Sequence, residues 1–374
     1  MRIGVPGEIK DQERRVGLVP SSVRELVANG HDVVVQTGAG LGVGADDDAY
    51  RAVGAKVADD APEVFAQSDM IVKVKEPQAA ERKLLESHHT LFTYLHLAPD
   101  PEQADDLIAS GATCIAYETV TDGRGGLPLL APMSKVAGRM AIQAAAHCLE
   151  APQGGAGLLI GGVPGVPPAK VVIIGGGVVG ENATRMAVGL GGDVHVLDRD
   201  LDVLDDLAHR FGTSITTHYS TAAALEDLVL DADVVVGAVL VKGARAPKLV
   251  TADMIADMRP GSVVVDVAID QGGSMETSRA TTHTEPTYVV DGVVHYAVAN
   301  MPGAVPRTSA HALNNATLPF VLALADDGPA AALAADPHLR NGLNVIGGLV
   351  TEPAVASALG RSYVDPETAL ATLG

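Results

Sequence analysis

Tryptophan is absent from this chain, and phenylalanine and tyrosine bring the aromatic share to only 3%. Stacking platforms for nucleic acid bases therefore have little support. Cations are scarce against anions: 26 Lys and Arg face 46 Asp and Glu, a formal net charge of −20. That balance argues against phosphate backbones and anionic lipid as partners, so neither a nucleic acid nor a membrane is expected. An anionic substrate would have to be drawn in by a local cluster of cations. The 2 cysteines, Cys114 and Cys148, offer neither a disulfide framework nor a metal-ligand spacing. They read as small buried hydrophobes, and no metal is assigned. Hydrophobic residues make up 47% of the chain, yet no stretch of about 20 residues reaches membrane length without polar or turn residues. The opening MRIGVPGEIK enters a strand without an apolar leader, which predicts a cytoplasmic address.

What is present is a glycine fingerprint in a specific setting. Residues 171–198 read VVIIGGGVVGENATRMAVGLGGDVHVLD: a β-branched strand, a Gly175-x-Gly177-x-x-Gly180 turn, a helix, a second strand and a terminal acid. With 41 glycines in the chain the triplet alone would be weak. The flanking strands and an acid at about the 20-residue separation make it a dinucleotide-binding unit. Gly175 suits the tight turn, Gly177 the approach of backbone to pyrophosphate, and Gly180 the packing of helix on strand. The helix start then offers unpaired N–H groups to the phosphates. Asp198 is placed for the ribose hydroxyls and would repel a 2′-phosphate, favouring NAD over NADP; Arg199 beside it works the other way.

Strand-like runs alternate with helical patterns at Arg2–Val5, Val33–Gln36, Met70–Lys75, Leu91–His96 and Thr113–Glu118. They continue at Val171–Ile174, Val194–Asp198, Asp233–Leu240, Ser262–Asp270 and His295–Asn300. This predicts an α/β protein of two Rossmann-like, doubly wound domains. Two long helices join them: Ala131–Glu150, with Ser134 as its N-cap, and roughly Ser309–Ala325. The expected division is a discontinuous substrate domain, 1–130 with 310–374, and an NAD-binding domain, 131–309. Crossing twice between domains predicts a hinge and a cleft.

Ligands in open α/β sheets sit beyond the carboxyl ends of the strands, which gives a shortlist. Lys75 ends MIVKVK, His96 ends LFTYLH, Asp270 ends VVVDVAID, and Asn300-Met301 end HYAVANM. Arg15, in the Asp11–Val16 loop, could reach the same rim. Each has a plainer alternative. Lys75 could be a solvated strand end like Lys73 and Glu76, His96 a core histidine, Asp270 a helix N-cap, and Arg14 with Arg15 a surface charge pair. The glycines from Gly38 to Gly44 lack a strand–helix setting or a lysine and read as a turn.

The strings IGVPGEIKDQERRVGLVP, VKVKEP, YLHLA, YETVTDGRGGLPLLAPMSKVAGRMA, GGVPGVPPAKVVIIGGGVVG, VDVAIDQGG and VANMPGAVPRTS together resemble the alanine dehydrogenase family, from residue 1 to about residue 325. The resemblance implies reversible, NAD-dependent oxidative deamination of L-alanine to pyruvate and ammonia. It implies that Arg15 and Lys75 bind the carboxylate and carbonyl of pyruvate, and that His96 and Asp270 serve acid–base chemistry. Cofactor contacts carry over to Ser134, Val178, Asp198, Ser220, Val239, Leu240, Ile269, Asp270, Arg279, Val298, Ala299, Asn300 and Met301, and the assembly implied is a homohexamer. Val203 stands where many members carry a basic residue, Glu181 follows the last motif glycine, and Ser274 stands where cysteine is common. The tail from about Pro329 matches weakly and is given no function. Two rivals remain: the NAD-binding subunit of a transhydrogenase, and a catalytically silent NAD-binding protein. Lys75, His96 and Asp270 together disfavour both.

Overall fold

The structure, a computed structural model, describes residues 1–239 and 246–373. It divides into two compact units, Met1–Met133 with Val305–Gly374, and Ser134–Ala304. The chain passes out of the first unit within the helix Ala131–Cys148 and returns just before the helix Pro306–Asp327.

The first unit carries β1 (Arg2–Val5), β2 (Asp32–Gln36), β3 (Lys56–Ala58), β4 (Met70–Val72), β5 (Thr90–Thr93) and β6 (Thr113–Ala116), and from the C-terminal segment β14 (Leu343–Ile346) and β15 (Leu349–Val350). Among the described residues these form an 8-stranded sheet in the order β15-β14-β6-β5-β4-β1-β2-β3. β1 to β6 pair in parallel, whereas β14 runs antiparallel to β6 and β15 antiparallel to β14. The tail therefore extends the sheet past β6, which would otherwise be an unpaired edge. The helix Pro306–Asp327 is tied to the loop after β1 by Asn314. Its Oδ1 accepts the Val19 N–H at 2.8 Å and its Nδ2 donates to the Gly17 carbonyl at 3.1 Å.

The second unit carries β7 (Lys170–Ile174), β8 (Asp193–Asp198), β9 (Ile215–Tyr219), β10 (Val234–Gly237), β11 (Val263–Asp266), β12 (Thr287–Val290) and β13 (Val293–Tyr296), in the order β12-β13-β11-β10-β7-β8-β9. All neighbours are parallel except β12 with β13. Valine on consecutive positions explains the double winding. Val171, Ile173, Val234, Val236, Val263 and Val265 bury one face with Ala183 and Ala187 of the helix Val178–Gly189. Val172, Ile174, Val235 and Val264 bury the other with Leu225, Leu228 and Ile255. Both faces of each strand are covered, so its residues read as a continuous apolar run.

Several expected boundaries change. Sheet pairing stops at Val72, Thr93, Ala116, Gly237, Asp266 and Tyr296, so Lys75, His96, Asp270 and Asn300 lie in the segments that follow the strands. Ser134 is not an N-cap, because the helix already starts at Ala131, whose N–H donates to the Leu127 carbonyl at 2.9 Å. Cys114 and Cys148 are free and buried, and burial pushes their thiols up to about 12 and about 11. No single described helix is long and apolar enough to cross a membrane.

Candidate functional site

In the second unit the glycine turn leaves the carboxyl end of β7. Gly175 has φ 100°, and a Cβ there would lie 2.9 Å from the Ala238 carbonyl oxygen. A Cβ on Gly180 would lie 1.8 Å from the Gly175 carbonyl oxygen, so the helix can pack this close only without a side chain. A Cβ on Gly177 would meet nothing within 4 Å. Gly177 caps the helix Val178–Gly189 with no side-chain hydrogen bond, and the first helical bond runs from the Glu181 N–H to the Gly177 carbonyl at 2.8 Å. An open space facing uncapped helical N–H groups fits the pyrophosphate of a dinucleotide.

Gly176, which the motif leaves unspecified, is equally constrained. A Cβ there would come within 2.7 Å of Val203 and 2.8 Å of Leu207, and its N–H donates to Asp198 Oδ2 at 2.6 Å. Val203 thus supports the turn by packing beneath it. Asp198 Oδ1 accepts the Asp200 N–H at 3.0 Å. A carboxylate has about four acceptor sites, so capacity remains for ribose hydroxyls. Glu181 is directed to Arg210 at 2.9 Å and Arg185 at 3.3 Å, so its charge is compensated from the protein side.

The other carried-over positions follow the same sheet edge. Ser220 donates its N–H to the Asp198 carbonyl at 2.9 Å. Val178 is 43% exposed at the helix start. Val239 follows β10 and borders Gly175, while Leu240 lies outside the described residues. Ile269 and the exposed Asp270 sit in a 3-10 turn, Val267–Gln271, after β11. Arg279 places its guanidinium 4.0 Å from the centre of the Tyr288 ring. After β13, Val298 and Met301 are buried, Ala299 donates its N–H to the Thr281 carbonyl at 3.2 Å, and Asn300 holds φ 59°. The candidates therefore follow β13, β11, β10, β7, β8 and β9, six neighbouring strands, at their carboxyl ends. Ser134 sits in the first turns of the helix Ala131–Cys148.

The capping acid in this region is Asp266, not Asp270. Asp266 is 1% exposed and accepts from the N–H groups of Ala268, Ser274 and Met275 and from the hydroxyls of Ser274 (3.0 Å) and Ser278 (2.6 Å). Ser274 thus has a stated partner where a thiol would be a weak donor. Asp266→Ala would leave buried N–H donors unmatched, a loss of at least about 3 kcal/mol, since bonds to charged groups contribute about 1.5–3 each. The expected outcome is a clear drop in melting temperature; a melt superimposable on the parent would remove Asp266 from this role.

In the first unit Arg15, Lys75 and His96 follow β1, β4 and β5, three adjacent parallel strands. Arg14 is exposed, but Arg15 is only 2% exposed, so the two are not a surface pair. Arg15 Nε and Nη2 grip Glu13 Oε1 and Oε2 at 2.7 and 2.5 Å, and Nη1 faces Met133 Sδ at 3.0 Å. Burial works against the charge, but Glu13 outweighs it and holds the guanidinium above its ordinary range. Arg15 lines a cavity of about 470 Å³ with Glu8, Glu13 and the turn Gly38–Gly42.

Lys73, expected as a solvated neighbour, is the fully buried one. Its Nζ lies 2.6 Å from Glu81 and 3.1 Å from Glu8. Burial alone would lower the Lys73 ammonium, but the two carboxylates together raise it; burial raises the Glu8 carboxyl. Lys75 is half-buried, its carbonyl accepting the Thr93 hydroxyl at 3.0 Å. Glu76 pairs with Lys10.

His96 holds φ 49°, an uncommon conformation for a residue with a side chain. Glu118 makes it possible by accepting the His96 N–H at 2.6 Å and the Leu95 N–H at 3.2 Å. The ring lies parallel to that of Tyr94, 5.8 Å away, with Nδ1 3.7 Å from Glu118, and its side chain is 47% exposed. Tyr94 is buried, donates to the Leu129 carbonyl at 2.5 Å, and has its hydroxyl pushed well up by that burial. An exposed imidazole on a strained backbone beside a carboxylate, a buried guanidinium and a nearby lysine can bind a small carboxylate and exchange protons with it. Glu8, Glu13, Tyr94, Glu118 and Asp266 were missed from sequence. For Glu118 and Asp266 the only signal was an acid closing an apolar run, as in TCIAYE and VVVD. Among the described residues no group of three or more His, Cys, Asp or Glu could hold a metal ion.

Comparison with known proteins matches this arrangement to one family. Residues 4–137 match the family model "Alanine dehydrogenase/PNT, N-terminal domain", and residues 141–353 match "Alanine dehydrogenase/PNT, C-terminal domain". The chain is 60% identical to the alanine dehydrogenase of Halomonas elongata, with 98% of each chain covered. A solved L-alanine dehydrogenase superposes with a TM-score of 0.94 at 52% identity, covering 96% of this chain and 99% of that one. A transhydrogenase from Sinorhizobium meliloti superposes with a TM-score of 0.81 at 26% identity, covering 95% and 100%.

Proposed function

The chain belongs to the alanine dehydrogenase/PNT family, and on that premise we propose that it is an NAD-dependent L-alanine dehydrogenase, converting L-alanine and water reversibly to pyruvate and ammonia. The observation that carries this reading is 60% identity over nearly the full length to an alanine dehydrogenase. The lower identity to the transhydrogenase, 26%, favours the dehydrogenase reading over its rival.

Gly175 to Gly180, Asp198 and the segment Val298–Met301 would hold the dinucleotide. When bound, NAD supplies a hydride acceptor for the alanine α-carbon. Arg15, its Nε and Nη2 edge held by Glu13, would attract the substrate carboxylate by its charge, and Lys75 would stabilise charge on the carbonyl oxygen as a compact cation. His96 and Asp270 would move the protons: one is taken from the water that adds to the α-carbon, one is delivered to the nitrogen that leaves as ammonia, and the remaining hydroxyl proton is removed as the carbonyl forms. The substrate amine must be neutral to react, so L-alanine-dependent reduction of NAD should rise toward alkaline pH, with pyruvate as product. No reduction with alanine at any pH would defeat the reading.

Asp198 supports NAD over NADP because a 2′-phosphate would meet a carboxylate already fixed by Gly176 and Asp200. Asp198→Ala should narrow the preference mainly through the Michaelis constant for the cofactor. An unchanged ratio would assign the discrimination elsewhere.

The reading also includes a cytoplasmic homohexamer, supported by the family resemblance. Light scattering on the eluting protein should give six times 38.2 kDa; a monomer would contradict it.

A further inference from the structure

The backbone of Lys75 is held from both sides by side chains of other strands and loops. Its carbonyl accepts the Thr93 hydroxyl, and its N–H lies 3.4 Å from Glu8 Oε1, which also takes the Val74 N–H at 2.7 Å. Glu8 reaches this segment from the end of β1, and its Oε2 pairs with the buried Lys73. Lys73 already has a closer counter-ion in Glu81, whose other oxygen accepts the Gln78 N–H at 2.8 Å. One buried ammonium thus faces two buried carboxylates. A second buried acid is a costly way to neutralise a lysine that is neutralised already. What Glu8 adds, and Glu81 does not, is its grip on the N–H groups of Val74 and Lys75. It also lines the same cavity as Arg15.

We propose that Glu8 is a positioning residue: it fixes the Val74–Lys75 backbone so that the Lys75 ammonium meets the substrate oxygen. The assignment rests on Lys75 acting as the substrate cation. It predicts a defect confined to the keto acid and transmitted through one lysine, which a merely structural acid would not produce.

The test is equilibrium binding of pyruvate to the full-length enzyme carrying NADH, followed by the nucleotide fluorescence, for Glu8→Gln, Lys75→Gln and the double variant. Glu8→Gln should weaken pyruvate by at least about tenfold, the scale of one charged hydrogen bond. NADH affinity should stay within about twofold, and the double variant should be no weaker than Lys75→Gln alone. Additive losses, or normal pyruvate binding in Glu8→Gln while Lys75→Gln is impaired, would overturn the positioning role and leave the role of Lys75 standing. Normal binding in Lys75→Gln would overturn both. If Glu8→Gln does not fold, Glu8→Asp provides the same readout, because it keeps the charge but withdraws it from the two N–H groups.

Discussion

His96→Ala and Asp270→Ala should each lower the rates of amination and deamination by at least ~10²-fold, the usual scale for a positioned proton shuttle. The structure separates this from a loss of stability. His96 is nearly half exposed and Asp270 is exposed, so neither side chain fills the core. The bonds that hold the His96 backbone come from its own N–H to Glu118 and survive truncation of the ring. The turn carrying Asp270 is capped by Asp266, not by Asp270 itself. Melting temperature and NADH affinity should therefore stay near those of the parent while turnover collapses. Near-normal rates in both directions for either variant would remove that residue from the acid–base role.

The glycine cradle gives the second large effect, and it comes as a contrast. Gly180→Ala forces a methyl to within 1.8 Å of the Gly175 carbonyl oxygen, a backbone atom, with no flexible side chain to yield. Overpacking of this kind costs about 1–3 kcal/mol, roughly 2–12 °C in a unit of this size, and would open the turn proposed to receive the dinucleotide. Gly177→Ala differs. Its φ of −65° suits any L-residue, and its Cβ would enter open space. That variant should melt like the parent yet bind NADH at least about tenfold more weakly, because the methyl occupies the place through which backbone approaches pyrophosphate. If Gly177→Ala binds NADH normally, the open space is not the phosphate site.

The contrast also shows what the sequence could carry. The three motif glycines and Asp198 were legible because each requirement is local: a turn, a close approach, a strand end. Gly176 was not, since the atoms that exclude a side chain there belong to Val203 and Leu207, distant in sequence. The sheet edge was legible for the same reason that its strands overran. The apolar alternation of MIVKVK continues past the last strand residue, Val72, so Lys75 lies just beyond the carboxyl end of the strand to which the alternation attached it. Buried charges were the least legible. Nothing in VKVKEP says that Lys73, rather than Lys75, is the enclosed lysine; that follows only once β1 brings Glu8 and the helical turn Ala79–Arg82 brings Glu81 against it. The strands β14 and β15 are short, LNVI and LV, and gain meaning only from the pairing of β14 with β6 and of β15 with β14.

The most direct test of the central claim is NADH oxidation by the wild-type protein with pyruvate and ammonium together, and with each omitted in turn. The account predicts rapid oxidation with both, stoichiometric formation of L-alanine, and none when either is left out. Oxidation that proceeds without ammonium, or no oxidation with both present, would contradict it.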